Sequence, residues 1–272
     1  MKKIILSFMT LSIIIITFLQ PISMAKTNEN DDLAKRLFLR EVETHSIFKE
    51  YESQMLSTDP YIFNDLLDEN EQKKGYLAQY EVELVSDQQT IENTEEGEIY
   101  LETTITSLLT FLYNEEENVM EVLLIDYSYI ELEENIYLRN LTSDTVDVIS
   151  VAETQNEELA EIVNEIETNQ QKTMAQASQE IAAGNIPDKS EEMSPRYRPG
   201  CSYWICQQYI SGGGDYSGNC AILAGTACEF IGTFIKVGRL ICHGANLIGC
   251  YVPKYKVCAR GYWETKNCPI QI

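Results

Sequence analysis

The sequence predicts an acidic α+β domain followed by a small, disulfide-rich, mainly helical C-terminal domain. Three observations lead to this fold class. The apolar period changes from helical to alternating near Tyr76 and returns to helical at Glu157. All eight cysteines lie beyond residue 200. The formal charge of −23 is divided unevenly, because residues 200–272 carry a net +3 and the rest of the chain carries −26.

The first 25 residues predict a secretory signal peptide. Basic residues follow Met1, an apolar run extends from Ile4 to Leu19, and Ala25 ends a small-residue cleavage site. An uncleaved membrane anchor is the alternative, but the run is shorter than the ~20 residues that a membrane span needs. We therefore expect a secreted, extracellular protein.

Residues 26–184, here called the acidic domain, predict a helix, an antiparallel β meander and a second helix. Residues 31–51 have apolar side chains at helical spacing. Residues 76–151 have a β-type composition interrupted by short polar links, which is typical of an antiparallel meander. Acids at alternate positions, such as Glu81 and Glu83, predict one packed face and one wet face.

A second helix and a linker close this domain. Residues 157–183 return to a helical period, and the scarcity of large apolar residues after Gln170 predicts that the helix weakens there. Residues 185–199 form a proline-rich polar linker, which is a natural processing site. We expect a second cleavage between Met193 and Gly200.

Residues 200–272, here called the tail, are predicted to be held together by disulfides. An even number of cysteines confined to a short exported segment is typical of a disulfide framework. Structural zinc sites favour ligand pairs separated by two to four residues, and only the first cysteine interval fits that spacing. The predicted disulfide cysteines are Cys201, Cys206, Cys220, Cys228, Cys242, Cys250, Cys258 and Cys268.

The inner four cysteines carry a resemblance to a known family. Seven residues separate Cys220 from Cys228, thirteen separate Cys228 from Cys242, and seven separate Cys242 from Cys250, with mostly small and apolar residues between. This ladder resembles the core of the halocin C-eight family of cysteine-rich peptide bacteriocins. The resemblance implies a longer secreted precursor, cleavage that releases the C-terminal toxin, and an N-terminal part that confers immunity by binding the toxin.

The symmetry of the ladder predicts a disulfide pairing. In an antiparallel helical hairpin turning near Ile235, equivalent cysteines of the two helices would face each other. The pairs would be Cys220–Cys250 and Cys228–Cys242, with the outer four cysteines closing around them. This is one of many pairings that eight cysteines allow.

The predicted function is a secreted bacteriocin precursor, whose released tail inhibits related bacteria at the membrane and whose acidic domain masks the tail. The predicted partners are a bacterial membrane or surface receptor and the chain's own acidic domain. Nucleic acid is excluded because the basic residues form no patch that could follow its backbone. Trp204 and Trp263 suit either a lipid headgroup layer or an ordinary core. The residues predicted to contact an anionic membrane surface are Lys254, Lys256, Arg260 and Lys266.

Two other functions stay open at this stage. The first is a secreted binding or inhibitor module that acts on a cell-surface protein. The second is a small secreted hydrolase, in which His243 would work with Asp215 or Glu229. Nothing in the sequence fixes that geometry, so we predict no enzyme activity, no catalytic residue, no metal and no cofactor. His45, in the polar first helix, is expected to be solvated.

Overall fold

The computed structural model describes residues 29–67, 72–86, 89–154, 156–185, 200–216 and 251–266. The predicted signal peptide, the predicted processing site and the inner cysteine ladder lie outside these residues. The chain divides into two compact units, residues 1–40 and 41–272. Helix α1 spans Glu29–Thr44, which confirms a helix in this region, and Lys35 lies 3.1 Å from Asp31 within it.

The unit formed by residues 41–272 contains a large sheet and a few helices. Its helices are α2 (Ser46–Tyr51), α3 (Ile130–Glu133) and α4 (Glu157–Ala182), with 3-10 turns at Glu52–Gln54 and Val151–Thr154. Its strands are β1 (Ile62–Leu67), β2 (Lys73–Val85), β3 (Thr90–Asn93), β4 (Glu98–Leu101), β5 (Thr104–Asn114), β6 (Val119–Asp126), β7 (Asn135–Asn140), β8 (Thr145–Ser150), β9 (Cys201–Gly212), β10 (Asp215–Tyr216), β11 (Tyr251–Val252) and β12 (Tyr255–Lys266).

Ten of the described strands form one sheet. Its main path has the order β3-β4-β9-β12-β5-β6-β7-β8, while β2 pairs with the other edge of β5, and β1 pairs with β2. Every pairing is antiparallel except that of β4 with β9. Strands β10 and β11 form a separate two-stranded ladder. Strand β5 is the centre of this arrangement, because it pairs with β2, β6 and β12.

The β5–β8 segment is the antiparallel meander that the sequence predicts. Each strand pairs with its successor. Short turns join β5 to β6 and β7 to β8, whereas residues 127–134, which contain α3, join β6 to β7. Asn118 and Asp144 adopt left-handed conformations in the two short turns, with φ of 52° and 55°. Asparagine and aspartate tolerate this conformation better than most residues, so the polar links are suited to tight turns.

Helix α4 confirms the second predicted helix but not its weakening. The Asn156 side chain caps its N-terminus by accepting a hydrogen bond from the Leu159 amide. The helix continues to Ala182, and Gly184 then takes a left-handed conformation with φ of 70°. Beyond Gln170 the helix is held by tertiary contacts, because Thr173 and Ala177 are fully buried. These contacts stabilise a segment that lacks large apolar side chains.

The sheet is covered on both faces. On one face, Phe48 of α2 packs against Tyr80 and Phe111, with ring centroids 5.2 and 6.2 Å apart. On the other face, α4 supplies a buried stripe that includes Ile162 and Ile166. The same core contains Leu108 and Leu112 of β5 together with Tyr251, Tyr255 and Val257 of the tail.

The predicted fold class, an α+β domain followed by a mainly helical tail, is therefore wrong, because the described residues are mostly β and ten of their strands form one mixed sheet. The described residues of the tail are strands, and two of them, β9 and β12, lie inside the sheet formed by the acidic domain. The prediction failed because strands from distant parts of the sequence pair here, and local periodicity contains no information about such pairing. The predicted helical hairpin between Cys220 and Cys250 lies outside the described residues.

Candidate functional site

The tail strand pair, β9 and β12, fills a slot between β4 and β5. Strand β12 joins β5 at Tyr255 and Lys256, and the Thr106 amide donates a hydrogen bond to the Lys254 carbonyl at 2.8 Å. Strand β9 runs parallel to β4, where Trp204 pairs with Ile99. Along the described sheet, β3 and β4 reach the other strands only through this pair. The tail is therefore a structural part of the acidic domain's sheet.

The inner face of the tail strand pair is apolar and aromatic. Trp204 and Trp263 are cross-strand partners, and their rings meet edge to face with centroids 5.6 Å apart. Both indoles are buried, with 1% and 5% of their surface exposed. Helix α4 covers them: the Trp263 Nε1–H donates to the Ala177 carbonyl at 3.3 Å. The Thr173 hydroxyl donates to the Cys258 carbonyl at 2.8 Å.

A disulfide links the two strands beneath the same helix. Cys206 of β9 is bonded to Cys258 of β12, and Cys258 is fully buried. Cys201 is also disulfide-bonded. The Cys206–Cys258 bond therefore joins two of the four outer cysteines. The other five predicted disulfide cysteines lie outside the described residues, so the inner pairing stays a prediction.

An ion pair with a buried carboxylate and a half-exposed ammonium connects the tail to β2. Lys254 Nζ lies 2.9 and 2.7 Å from the two carboxylate oxygens of Glu81, and the Tyr251 hydroxyl donates to the same carboxylate at 2.9 Å. The Glu81 side chain is 9% exposed, whereas that of Lys254 is 43% exposed. Burial, reinforced by the negative charge of Glu81, raises the pKa of the Tyr251 hydroxyl, which therefore stays protonated. The ring of Tyr61 lies 6.3 Å from that of Tyr251.

The outer face of the tail strand pair is polar and exposed. Lys256 lies over the ring of Tyr209 at 4.8 Å, and Arg260 and Tyr262 are exposed on the same strand. Lys266, at the end of β12, is 2.9 Å from Glu264. The four residues predicted to contact a membrane surface differ in their surroundings. Lys256, Arg260 and Lys266 are accessible, while Lys254 is engaged by the acidic domain.

The chain is paired with itself immediately before and after the segment that contains the inner cysteines. Tyr216 of β10 pairs with Tyr251 of β11, immediately before and after residues 217–250. Gly213 and Gly214 immediately precede β10 and have φ of 72° and 97°, a backbone conformation that glycine adopts more readily than other residues. A Cβ on Gly214 would lie 2.7 Å from the Lys254 side chain. The close turn therefore helps to keep Lys254 in place against Glu81.

The described residues bring together no arrangement that favours catalysis or metal binding. Among them no group of three or more histidine, cysteine or acidic side chains could hold a metal ion. A cavity of about 450 Å³ beside α4 is lined by Glu134, Glu157 and Glu167, and its described lining contains no serine, cysteine or histidine. His45 is an N-cap rather than merely solvated, because its Nδ1 accepts from the Ile47 amide. His243 and Glu229 lie outside the described part of the chain.

One buried carboxyl has an unusual protonation behaviour. Glu131 in α3 is 7% exposed, and burial raises its pKa to about 6. A hydrogen bond from Gln170 opposes this rise, and the nearby charge of Glu167 adds to it. The carboxyl lies where α3 contacts α4. The contact between these helices is therefore expected to become less stable as pH rises and the carboxyl loses its proton.

Glu81 is the residue that sequence reasoning missed. Its alternation with apolar neighbours predicts a wet face for β2, yet Gln79 and Glu81 are both buried. Tyr251 and Lys254 of the tail contact Glu81, whereas Gln79 donates to the Thr110 hydroxyl of β5. No local pattern indicates a tail contact so distant in the sequence. The only available signal was charge, because a strongly acidic domain precedes a basic tail.

No described helix is long and apolar enough to cross a membrane. The chain matches no protein-family model, no curated protein and no solved structure. The resemblance to cysteine-rich bacteriocins therefore rests on the spacing of the inner cysteines.

Proposed function

We propose that the chain is a secreted bacteriocin precursor, in which the acidic domain masks the tail until proteolysis releases it. One observation supports this function above all others: the tail strand pair fills the slot between β4 and β5. A bound segment of this kind is inaccessible on its inner face. The cysteine spacing and the opposite charges of the two regions agree with the same proposal.

The masking has a specific physical basis in this proposal. Strand addition supplies backbone hydrogen bonds on both sides of the tail strand pair, and α4 covers its apolar face. The Glu81–Lys254 pair adds a charge contact that favours the basic tail over other partners. Cleavage within residues 186–199 would then leave the two fragments associated. Release requires a further step that separates the strands.

The proposed function is tested with the folded, oxidised precursor. The full chain is cleaved once within residues 186–199, the fragments are separated, and the tail is applied to a panel of related bacteria. Growth inhibition by the tail, with no inhibition by the intact chain, is the expected result. No inhibition of any strain by micromolar tail with intact disulfides would contradict the bacteriocin function.

A second candidate is a binding or inhibitor module that keeps its tail. The observation that favours it is the pairing of Tyr216 with Tyr251, which would hold the two ends of residues 217–250 together while that segment binds a partner. Mass spectrometry of the secreted product distinguishes the two functions. The bacteriocin proposal expects a free tail in culture fluid, whereas the module expects only the joined chain.

A further inference from the structure

We infer that the inner face of the tail strand pair, carrying Trp204 and Trp263, is the surface by which the released tail contacts an anionic lipid bilayer. Helix α4 occupies this surface in the precursor. The inference rests on the proposed function, because α4 covers this surface in the intact wild-type precursor. The primary lipid contact is then the buried aromatic face rather than the exposed basic residues predicted from the sequence.

The tail strand pair has two faces of different chemistry. Trp204, Trp263 and Val257 are buried on the inner face, and the Cys206–Cys258 disulfide staples the strands together. The outer face carries exposed tyrosines and the basic side chains of Lys256 and Arg260. Amphipathic helices with an aromatic apolar face and a basic face opposite lie in the plane of a membrane interface. The tail strand pair has the same division of its two faces. Tryptophan is enriched at the headgroup layer for the same amphipathic reason.

The cover over the inner face comes from the acidic domain. Ala177 of α4 is fully buried in the cluster that holds both indoles, with Met174 and Ile181 beside it. The small Ala177 side chain allows α4 to approach the indoles closely, and the backbone carbonyl of Ala177 accepts a hydrogen bond from the Trp263 Nε1–H. Separation of the tail removes this helix, so two indoles and the disulfide lose their apolar cover together.

Charge points to an anionic bilayer as the occupant. Separation from β2 frees Lys254 from Glu81, so it joins Lys256 and Arg260 as an available cation. The tail has a net charge of +3, and the domain it leaves is strongly acidic. Each basic residue near an anionic membrane surface adds to the attraction, so partition into anionic vesicles is expected to exceed partition into zwitterionic ones on the order of a hundredfold.

The intrinsic tryptophan fluorescence of the chain is a direct probe of this surface. It contains two tryptophans, and both lie on the inner face. We therefore compare tryptophan emission of the full-length oxidised chain with phosphatidylglycerol vesicles and with phosphatidylcholine vesicles. The test variant is Ala177→Asp, which places a charge between α4 and the indoles. The matched control is Ala175→Asp, the same change at an exposed position two residues earlier.

The expected result separates the variants. The wild-type chain and Ala175→Asp keep their emission in both vesicles, while Ala177→Asp shows a lipid-dependent change with phosphatidylglycerol only. The inference is overturned if Ala177→Asp makes its indoles accessible to acrylamide and still ignores phosphatidylglycerol. Circular dichroism shows whether Ala177→Asp has folded.

A second measurement covers the case in which Ala177→Asp does not fold. The tail isolated from the cleaved wild-type precursor is mixed with the same vesicles. Indoles that stay buried, because residues 217–250 cover them after release, would overturn the inference. A tail that inhibits growth without binding vesicles would contradict this surface while leaving the proposed function intact. A tail that binds vesicles but inhibits no strain would support this surface and contradict the proposed bacteriocin function.

Discussion

The β5–β8 meander and the tail strand pair are both antiparallel, but they are held together in different ways. In the meander each strand pairs with its neighbour in the sequence, and no connection is longer than the segment of residues 127–134 that contains α3. In the tail, β9 and β12 pair across residues 217–250, and both also depend on strands of the acidic domain. The meander is thus defined by local contacts and the tail strand pair by distant ones. Release of the tail, as the proposed function requires, therefore depends on the loss of these outside contacts.

The largest expected effect is on the inner face of the tail strand pair. Replacing Trp204 with alanine removes a fully buried indole from the cluster under α4, so we expect the free energy of unfolding to fall by about 3–5 kcal/mol. The matched control is Tyr262→Ala, which removes an aromatic ring from the exposed outer face and should cost less than about 1 kcal/mol. Urea unfolding of the full chain, followed by circular dichroism, measures both. Equal losses would show that the two faces are equivalent.

The next effect concerns the contact between the tail and β2. Lys254→Met leaves the Glu81 carboxylate buried without its ammonium, and we expect a loss of about 2–3 kcal/mol. Glu81→Gln should cost less, about 1 kcal/mol, because the half-exposed Lys254 can be hydrated. A double-mutant cycle measures their coupling. If the two losses simply add in the double variant, the ion pair does not hold the tail to the acidic domain.

A smaller effect should depend on pH. The pKa of the Glu131 carboxyl is raised to about 6 in the folded chain from an ordinary value of 4.5, so the unfolded chain loses this proton first as pH rises. Burial of this carboxyl therefore does not lower the free energy of unfolding below pH 4.5. The loss grows as pH rises from 4.5 to about 6 and is complete above that pH. Glu131→Gln should stabilise the chain by about 1–2 kcal/mol at pH 8 and leave it unchanged at pH 4.

The control for that pH dependence is Glu115→Gln, which changes an exposed carboxyl in the turn after β5. Its effect should be small at both pH values. Unfolding in urea at pH 4 and pH 8 gives the comparison. A Glu131→Gln variant that is less stable than the wild type at pH 8 would contradict the account of this carboxyl.

The smallest expected effect concerns the start of α4. Asn156→Ala removes the side-chain oxygen that accepts from the Leu159 amide and should cost about 1 kcal/mol, whereas Asn156→Asp should retain most of the stability. Asn164→Ala, on an exposed turn of the same helix, is the matched control. Thermal unfolding ranks the three variants. A loss in Asn164→Ala equal to that in Asn156→Ala would rule out the cap as the cause.

Local patterns predicted the elements that local contacts define. The alternating composition and polar links located β5 to β8, and the apolar stripe of α4 follows directly from its helical period. Strands β1 and β3 were missed, because Ile62–Leu67 contains internal polar residues and Thr90–Asn93 is short. Neither segment carries a clear alternation.

The candidate site could not be predicted in the same way. The aromatic and β-branched residues of Cys201–Gly212 are compatible with a strand, but nothing local indicates that it pairs in parallel with β4. The burial of Glu81 follows from the same distant pairing. Sequence identified the tail as a separate chemical region through its cysteines and charge, and the structure places its strands within the acidic domain.

The central claim is that the acidic domain masks a tail that is active when free. The most direct measurement uses the oxidised chain cleaved once within residues 186–199. The account predicts that the two fragments elute together from a size-exclusion column and do not inhibit growth. Separating them should produce inhibition by the tail, and adding back one equivalent of the acidic fragment should abolish it. Inhibition by the cleaved chain equal to that of the isolated tail, or no neutralisation by the acidic fragment, would contradict the account.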